Sequence, residues 1–97
     1  MQRDDAILRL RSLRPFLDSY KVKAVAIFGS VARNESGPKS DLDVMVEFSE
    51  FPDLIEFVRL KRQLSERLGL DVDLVVKSGL HPRLKDRILG EAVYAYA

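Results

Sequence analysis

Apolar positions along the chain switch between a helical and an extended period, and the switches divide it into short elements. From Asp4 to about Ser19, the residues Ile7, Leu8, Leu10, Leu13, Phe16 and Leu17 form an amphipathic helical stripe. Pro15 lies inside that stripe. It lacks a backbone donor and restricts its predecessor, which predicts a kink or break around Arg14. Val22 to Phe28 (VKAVAIF) is almost wholly apolar and reads as a buried strand. Asp41 to Phe48 (DLDVMVEF) alternates, with Leu42, Val44, Val46 and Phe48 on one face and Asp41, Asp43, Met45 and Glu47 on the other. A helix with Pro52 in its first turn and Gly69 after its end would turn Leu54, Ile55, Val58, Leu64 and Leu68 to the core. Leu70 to Val76 (LDVDLVV) is a third strand, with Asp71 and Asp73 facing away from Val72, Leu74 and Val76. His81-Pro82 opens a last helix with Leu84, Ile88 and Leu89 inward and His81 itself exposed. Glu91 to Ala97 either continues that helix or forms a short edge strand, and the alternation of Tyr94 with Tyr96 favours the strand.

Composition narrows the picture. The 97 residues suffice for one domain, spanning 1–97, with one modest core. With 46% hydrophobic and 32% charged residues, the chain is not globally disordered. A formal net charge of +1 argues against a protein that coats nucleic acid. The basic residues Arg59, Lys61, Arg62 and Arg67 read as a solvated helix face rather than an RNA or partner site. Cysteine is absent, which excludes disulfides, thiolate metal sites and a cysteine nucleophile. No apolar run approaches a membrane span and Met1–Asp5 is no signal-peptide start, so a cytoplasmic location is expected.

Chemistry concentrates between the first two strands, in Gly29–Asp43 (GSVARNESGPKSDLD). Gly29 permits a sharp turn and the close approach of a ligand. Ser30 is expected to N-cap a short helix running from Val31 to about Glu35, whose free N–H groups suit a phosphate. Asp41 and Asp43, two apart on a strand, sit roughly 6.5–7 Å from each other on one face, where they can converge on oxygen-seeking cations. Asn34 to Ser40 has the composition of a loop. Arg33 suits either a ligand contact or a surface ion pair, Lys39 reads as a solvated loop lysine, and Ser40 as shaping the strand entry. A phosphate cradle beside paired carboxylates points to phosphoryl or nucleotidyl transfer from a triphosphate.

The run GSVARNESGPKSDLDV closely resembles the G-S-x(10)-D-x-D signature of the DNA polymerase beta-like nucleotidyltransferase superfamily. Its SVAR and SDLDV wording is similar to the minimal, single-domain prokaryotic branch, and the likeness extends from the leading helix to LHPRLKDRILGEAVY. The resemblance implies an α+β fold (an α/β sandwich) with a small mixed sheet and helices packed on it. It implies transfer of a nucleoside monophosphate, AMP from ATP, to a hydroxyl with release of pyrophosphate. Asp41 and Asp43 would hold two magnesium ions, and Asp73 would be the third carboxylate, with Asp71 as the alternative on the same face. Gly29 and Ser30 would bind the β- and γ-phosphates, with Arg33 beside them. Minimal proteins of this type are paired, as antitoxins, with HEPN-type toxins, on which they place AMP at a tyrosine. Ninety-seven residues leave no room for a second, acceptor-binding domain. Either a partner (a hetero-oligomer) or a dimer (a homo-oligomer) supplies that surface, or the partner is itself the acceptor; the lack of an acceptor-binding region also counts against an antibiotic-modifying enzyme. The rival reading is a non-catalytic antitoxin that neutralises its partner by binding alone.

Overall fold

A computed structural model describes residues 1–35, 37 and 41–97. The predicted leading helix is divided into α1 (Arg3–Ser12) and α2 (Arg14–Ser19). Leu13 is the joint and Pro15 falls in the first turn of α2, where no backbone donor is missed. Ala6, Leu10 and Leu17 are the buried positions, whereas Leu8, expected in the stripe, is 62% exposed. Ala6, one turn before Leu10, is on the inward face instead. The strands are β1 (Val22–Phe28), β2 (Leu42–Phe48), β3 (Val72–Val76) and β4 (Val93–Tyr96), and the other helices α3 (Gly29–Ala32), α4 (Leu54–Leu68) and α5 (Pro82–Glu91). Asp41 and the pair Leu70-Asp71 thus lie just outside the strands expected to include them.

The sheet has the order β3-β2-β1-β4. Strand β1 is antiparallel to both β2 and β4, while β2 and β3 run parallel with α4 as their crossover. The sheet is therefore mixed, as expected. One face carries Val25, Ile27, Leu42, Val44, Val46, Val72 and Leu74 against Leu10, Leu17, Leu60, Leu64 and Leu68 from the helices. On the opposite face Ala26, Phe28 and Met45 pack beneath Ile88 of α5. Met45 thus shares a face with Asp43, as its strand position requires, yet is buried because α5 covers it.

Asp53, not Pro52, begins α4: its carboxylate accepts the Glu56 N–H at 2.8 Å, an N-cap, and Pro52 lies before the helix. Gly69, at φ 74°, ends it in the left-handed region. The helix reaches the core through Leu60, Leu64 and Leu68 at four-residue spacing. Leu54, Ile55 and Val58, expected to point inward, are 77%, 71% and 56% exposed. They border a groove of about 360 Å³ with Arg59 and Arg62. His81 caps α5, its Nδ1 accepting the Arg83 N–H at 3.1 Å. Leu84, another expected inward residue, is 46% exposed. The segment from Glu91 supplies both alternatives: Glu91 closes α5, and β4 starts after a single joint at Ala92. Among the described residues no helix is long and apolar enough to cross a membrane.

Replacing Leu64, which is wholly buried, with alanine is expected to cost about 3 kcal/mol in denaturant unfolding, whereas Leu54→Ala costs less than about 0.5. Equal losses at the two positions would mean that the first turn of α4 is covered in solution.

Candidate active site

The site is built where β1 ends and β2 and β3 begin. Antiparallel pairing sets Phe28, the last residue of β1, opposite Asp43, and the parallel register sets Asp43 beside Asp73. Gly29 follows at φ 72° and turns the chain directly from strand into α3. A Cβ on Gly29 would run into Oδ2 of Asp43 and come within 2.9 Å of its Cγ. Both the backbone conformation and the space therefore demand glycine.

That turn also corrects the expected cap. Phe28 occupies the N-cap position, no side chain caps α3, and Ser30 lies within the first turn. The left-handed glycine enters the helix at once, so no extended residue follows it from which Ser30 could cap. The helix ends at Ala32 rather than near Glu35 because Asn34 turns left-handed at φ 59°. The Asn34 and Glu35 N–H groups fold back on the carbonyls of Val31 and Ser30, at 3.1 and 2.8 Å, in a Schellman-type closure. Lys39 and Ser40 lie outside the described residues.

Asp43 is half-buried, and its carboxyl is pushed up to about 6. Burial is the largest cause, followed by the charges of Asp73 and Asp41 and a hydrogen bond with Asp73 that favours the protonated form. Asp41 is exposed just ahead of β2. Asp71 is exposed before β3, where its carbonyl accepts the Leu42 N–H at 2.9 Å and ties the two strand entries together. Two hollows lie at this edge. One, of about 340 Å³, is bordered by Gly29, Ser30, Arg33, Asp43, Arg87 and Glu91. The other, of about 310 Å³, is bordered by Asp41, Asp71 and Asp73 with Lys61 and Ser65 of α4. Gly29, Ser30, Arg33 and Asp43 are thus brought together, while Asp41 and Asp73 open onto the neighbouring hollow. Among the described residues no three His, Cys, Asp or Glu side chains converge on one point where a metal ion could be held. Crowded hard-oxygen donors nonetheless fit magnesium, which is bound by one or two carboxylates plus waters and substrate phosphates rather than by an all-protein cage.

Two residues of this region carry no sequence signal of their own. Glu91 accepts the Gly29 N–H through Oε1 at 3.0 Å and Nη1 of Arg33 through Oε2 at 2.9 Å. Arg87 lies one helical turn before it, on the same side of α5. Arg33 also pairs with Glu35 at 3.0 Å, so the ion-pairing alternative for Arg33 is present at the mouth of the cleft. Burial works against the charge of Glu91, but the Gly29 N–H and Arg33 outweigh it and hold the carboxyl below the usual glutamate range.

Residues 10–95 match the model of the nucleotidyltransferase domain. The chain belongs to this family of nucleotidyltransferases, in its minimal form, and is an enzyme of that class. It is 51% identical over 83 residues to a Methanocaldococcus jannaschii protein described as a candidate protein adenylyltransferase, covering 86% of this chain and 89% of the relative. It is 37% identical over 97 residues to the protein adenylyltransferase MntA of Thermococcus cleftensis, covering 92% and 98% of the two chains. A solved structure described as a candidate minimal nucleotidyltransferase superposes with a TM-score of 0.80 at 38% identity, covering 96% and 95% of the chains. The fold also matches a chain of the complex between a tri-AMPylated Shewanella oneidensis HEPN toxin and its MNT antitoxin, at TM-score 0.64 and 23% identity, covering 98% of this chain and 69% of that one.

Because the folded-state pKa of Asp43 is raised from 3.8 to about 6, its ionised form opposes folding as pH rises through that range. Asp43→Asn should therefore stabilise the metal-free protein by about 1 kcal/mol above pH 6 and by nothing below pH 3.8, read by thermal melts across pH. A destabilised Asp43→Asn at pH 8 would contradict the crowding of these carboxylates.

Proposed function

We propose that this chain transfers AMP from ATP to a tyrosine hydroxyl of a HEPN-type toxin in the cytoplasm, and so acts as the antitoxin of the pair. The observation that carries the reading is Asp43 set beside Asp73 and hard against Gly29, which puts paired carboxylates next to the glycine turn that opens α3. The names borne by the Thermococcus cleftensis relative and the Shewanella oneidensis complex support the protein acceptor and the toxin partner.

Gly29 and Ser30 hold the β- and γ-phosphates, with Arg33 at the rim of the same hollow. Asp41, Asp43 and Asp73 would be the residues to hold magnesium, with waters and substrate phosphates completing its shell, and the absence of a cysteine or histidine donor among them favours a hard cation. When bound, magnesium neutralises the triphosphate and lowers the pKa of the acceptor hydroxyl. Asp73, exposed at the start of β3, accepts the proton of that hydroxyl. The acceptor oxygen then forms its bond to the α-phosphorus as the bond to the β-phosphate oxygen breaks, and pyrophosphate leaves. Positioning by these few side chains is sufficient for such chemistry, which suits a chain of 97 residues.

The test is a label transfer. Protein, magnesium and α-labelled ATP are mixed with the product of the adjacent gene, with Asp43→Ala run in parallel. Label should move to the partner with the unmodified protein and fall to background with the variant. A stable unlabelled complex, formed equally well by both, would leave the protein as a binding antitoxin without transfer.

A further inference from the structure

Glu91 sits 62 positions from Gly29 in the chain, yet its two carboxylate oxygens divide between the two groups that border the phosphate side of the cleft. One takes the N–H of the left-handed glycine, the other takes the Arg33 guanidinium, and the Glu91 side chain is only 18% exposed. Neither contact is needed to form α3. That helix is closed at its far end by Asn34 and packs into the core through Val31 and Ala32.

The contacts do fix two other things. The hydrogen bond to Gly29 sets the tilt of the first peptide of α3, and with it the direction of the donors that follow. The ion pair pulls Arg33 back toward the hollow, against the exposed Glu35 that draws the same guanidinium outward. Of the two partners Glu91 is the less solvated, its side chain 18% exposed against 65% for Glu35.

We infer that Glu91 is a positioning residue for nucleotidyl transfer, acting through Gly29 and Arg33 on the triphosphate; this rests on the proposed phosphate-binding role of those two residues. Helix α5 thereby does more than cover Phe28 and Met45. Its final residue delivers a carboxylate to the turn where the phosphates sit, and β4 anchors that residue by pairing Val93 with Ile27 two positions later.

Binding of a fluorescent ATP analogue with magnesium, and the KM and kcat of label transfer, would be measured for the unmodified chain and for Glu91→Gln, Glu91→Ala, Glu35→Gln, Arg33→Ala and the Arg33→Ala/Glu91→Ala pair. Glu91→Ala is expected to raise KM for ATP about tenfold, with kcat changed less than about threefold, and Glu91→Gln, which keeps an acceptor for Gly29, to fall between. Glu35→Gln stays within about twofold, because the pair it removes is exposed. The double variant loses less than the product of the single losses, since both changes disturb one contact. A melting temperature lowered in both Glu91 variants with KM unmoved would overturn the inference and leave Glu91 a structural cap. Tighter ATP binding by Glu91→Ala would also overturn it, by making the carboxylate a competitor of the phosphates. Unmodified protein that binds no ATP analogue with magnesium would instead overturn the phosphate-binding reading, and this inference with it.

Discussion

The close approach of Gly29 to Asp43 is the constraint around which this molecule is arranged. No side chain fits between them, and the chain must enter a left-handed conformation at the same residue. The antiparallel pairing of Phe28 with Asp43 imposes that proximity, and the parallel pairing of β2 with β3 adds Asp73 to the same spot. Like charges gathered in partial burial oppose folding, so the cost has to be carried by the rest of the sheet. The opposite face supplies that support: Leu42 and Val44 flank Asp43 in sequence and are wholly buried.

Helix α5 joins stability to chemistry. Through Ile88 it shields the sheet face on which Asp43 lies, and through Glu91 it reaches the glycine turn. The parallel crossover plays the corresponding part on the other side. Helix α4 covers the core face through its second half, and its Ser65 hydroxyl accepts the Val72 N–H at 3.1 Å, fixing the entry to β3. Both elements that bring distant residues to the edge are thus tied down by hydrogen bonds at the edge itself.

Much of this was legible in the sequence because strands with one wholly apolar face declare themselves. Val22–Phe28 was bounded to the residue, and two residues of the Gly29-Ser30 to Asp41-x-Asp43 spacing, Gly29 and Asp43, do come into contact in the fold. Periodicity failed where it could not know the extent of the surface to be covered. Leu54, Ile55 and Val58 have the right spacing for a buried stripe, but the core meets α4 along a different line, through Phe57, Leu60, Leu64 and Leu68. Ser30 is a good capping residue displaced by a geometric fact, the left-handed entry at Gly29, that residue preferences do not encode. Glu91 was invisible for a different reason. Its partners are remote in the chain and only the return of α5 toward β4 brings them near.

The parallel register between β2 and β3 decides which changes of chain length the site can absorb. Strand alternation makes residue parity, not distance along the chain, the quantity that keeps Asp73 on the face of Asp43. Residues gained or lost in the turns around α4 are neutral to the site so long as the strand itself does not slip. A slip of one position would exchange Asp73 for Val72 or Leu74, burying a charge and exposing a core side chain in one step. A sheet of this kind therefore tolerates a change of length in its connections more readily than a change of register in β3.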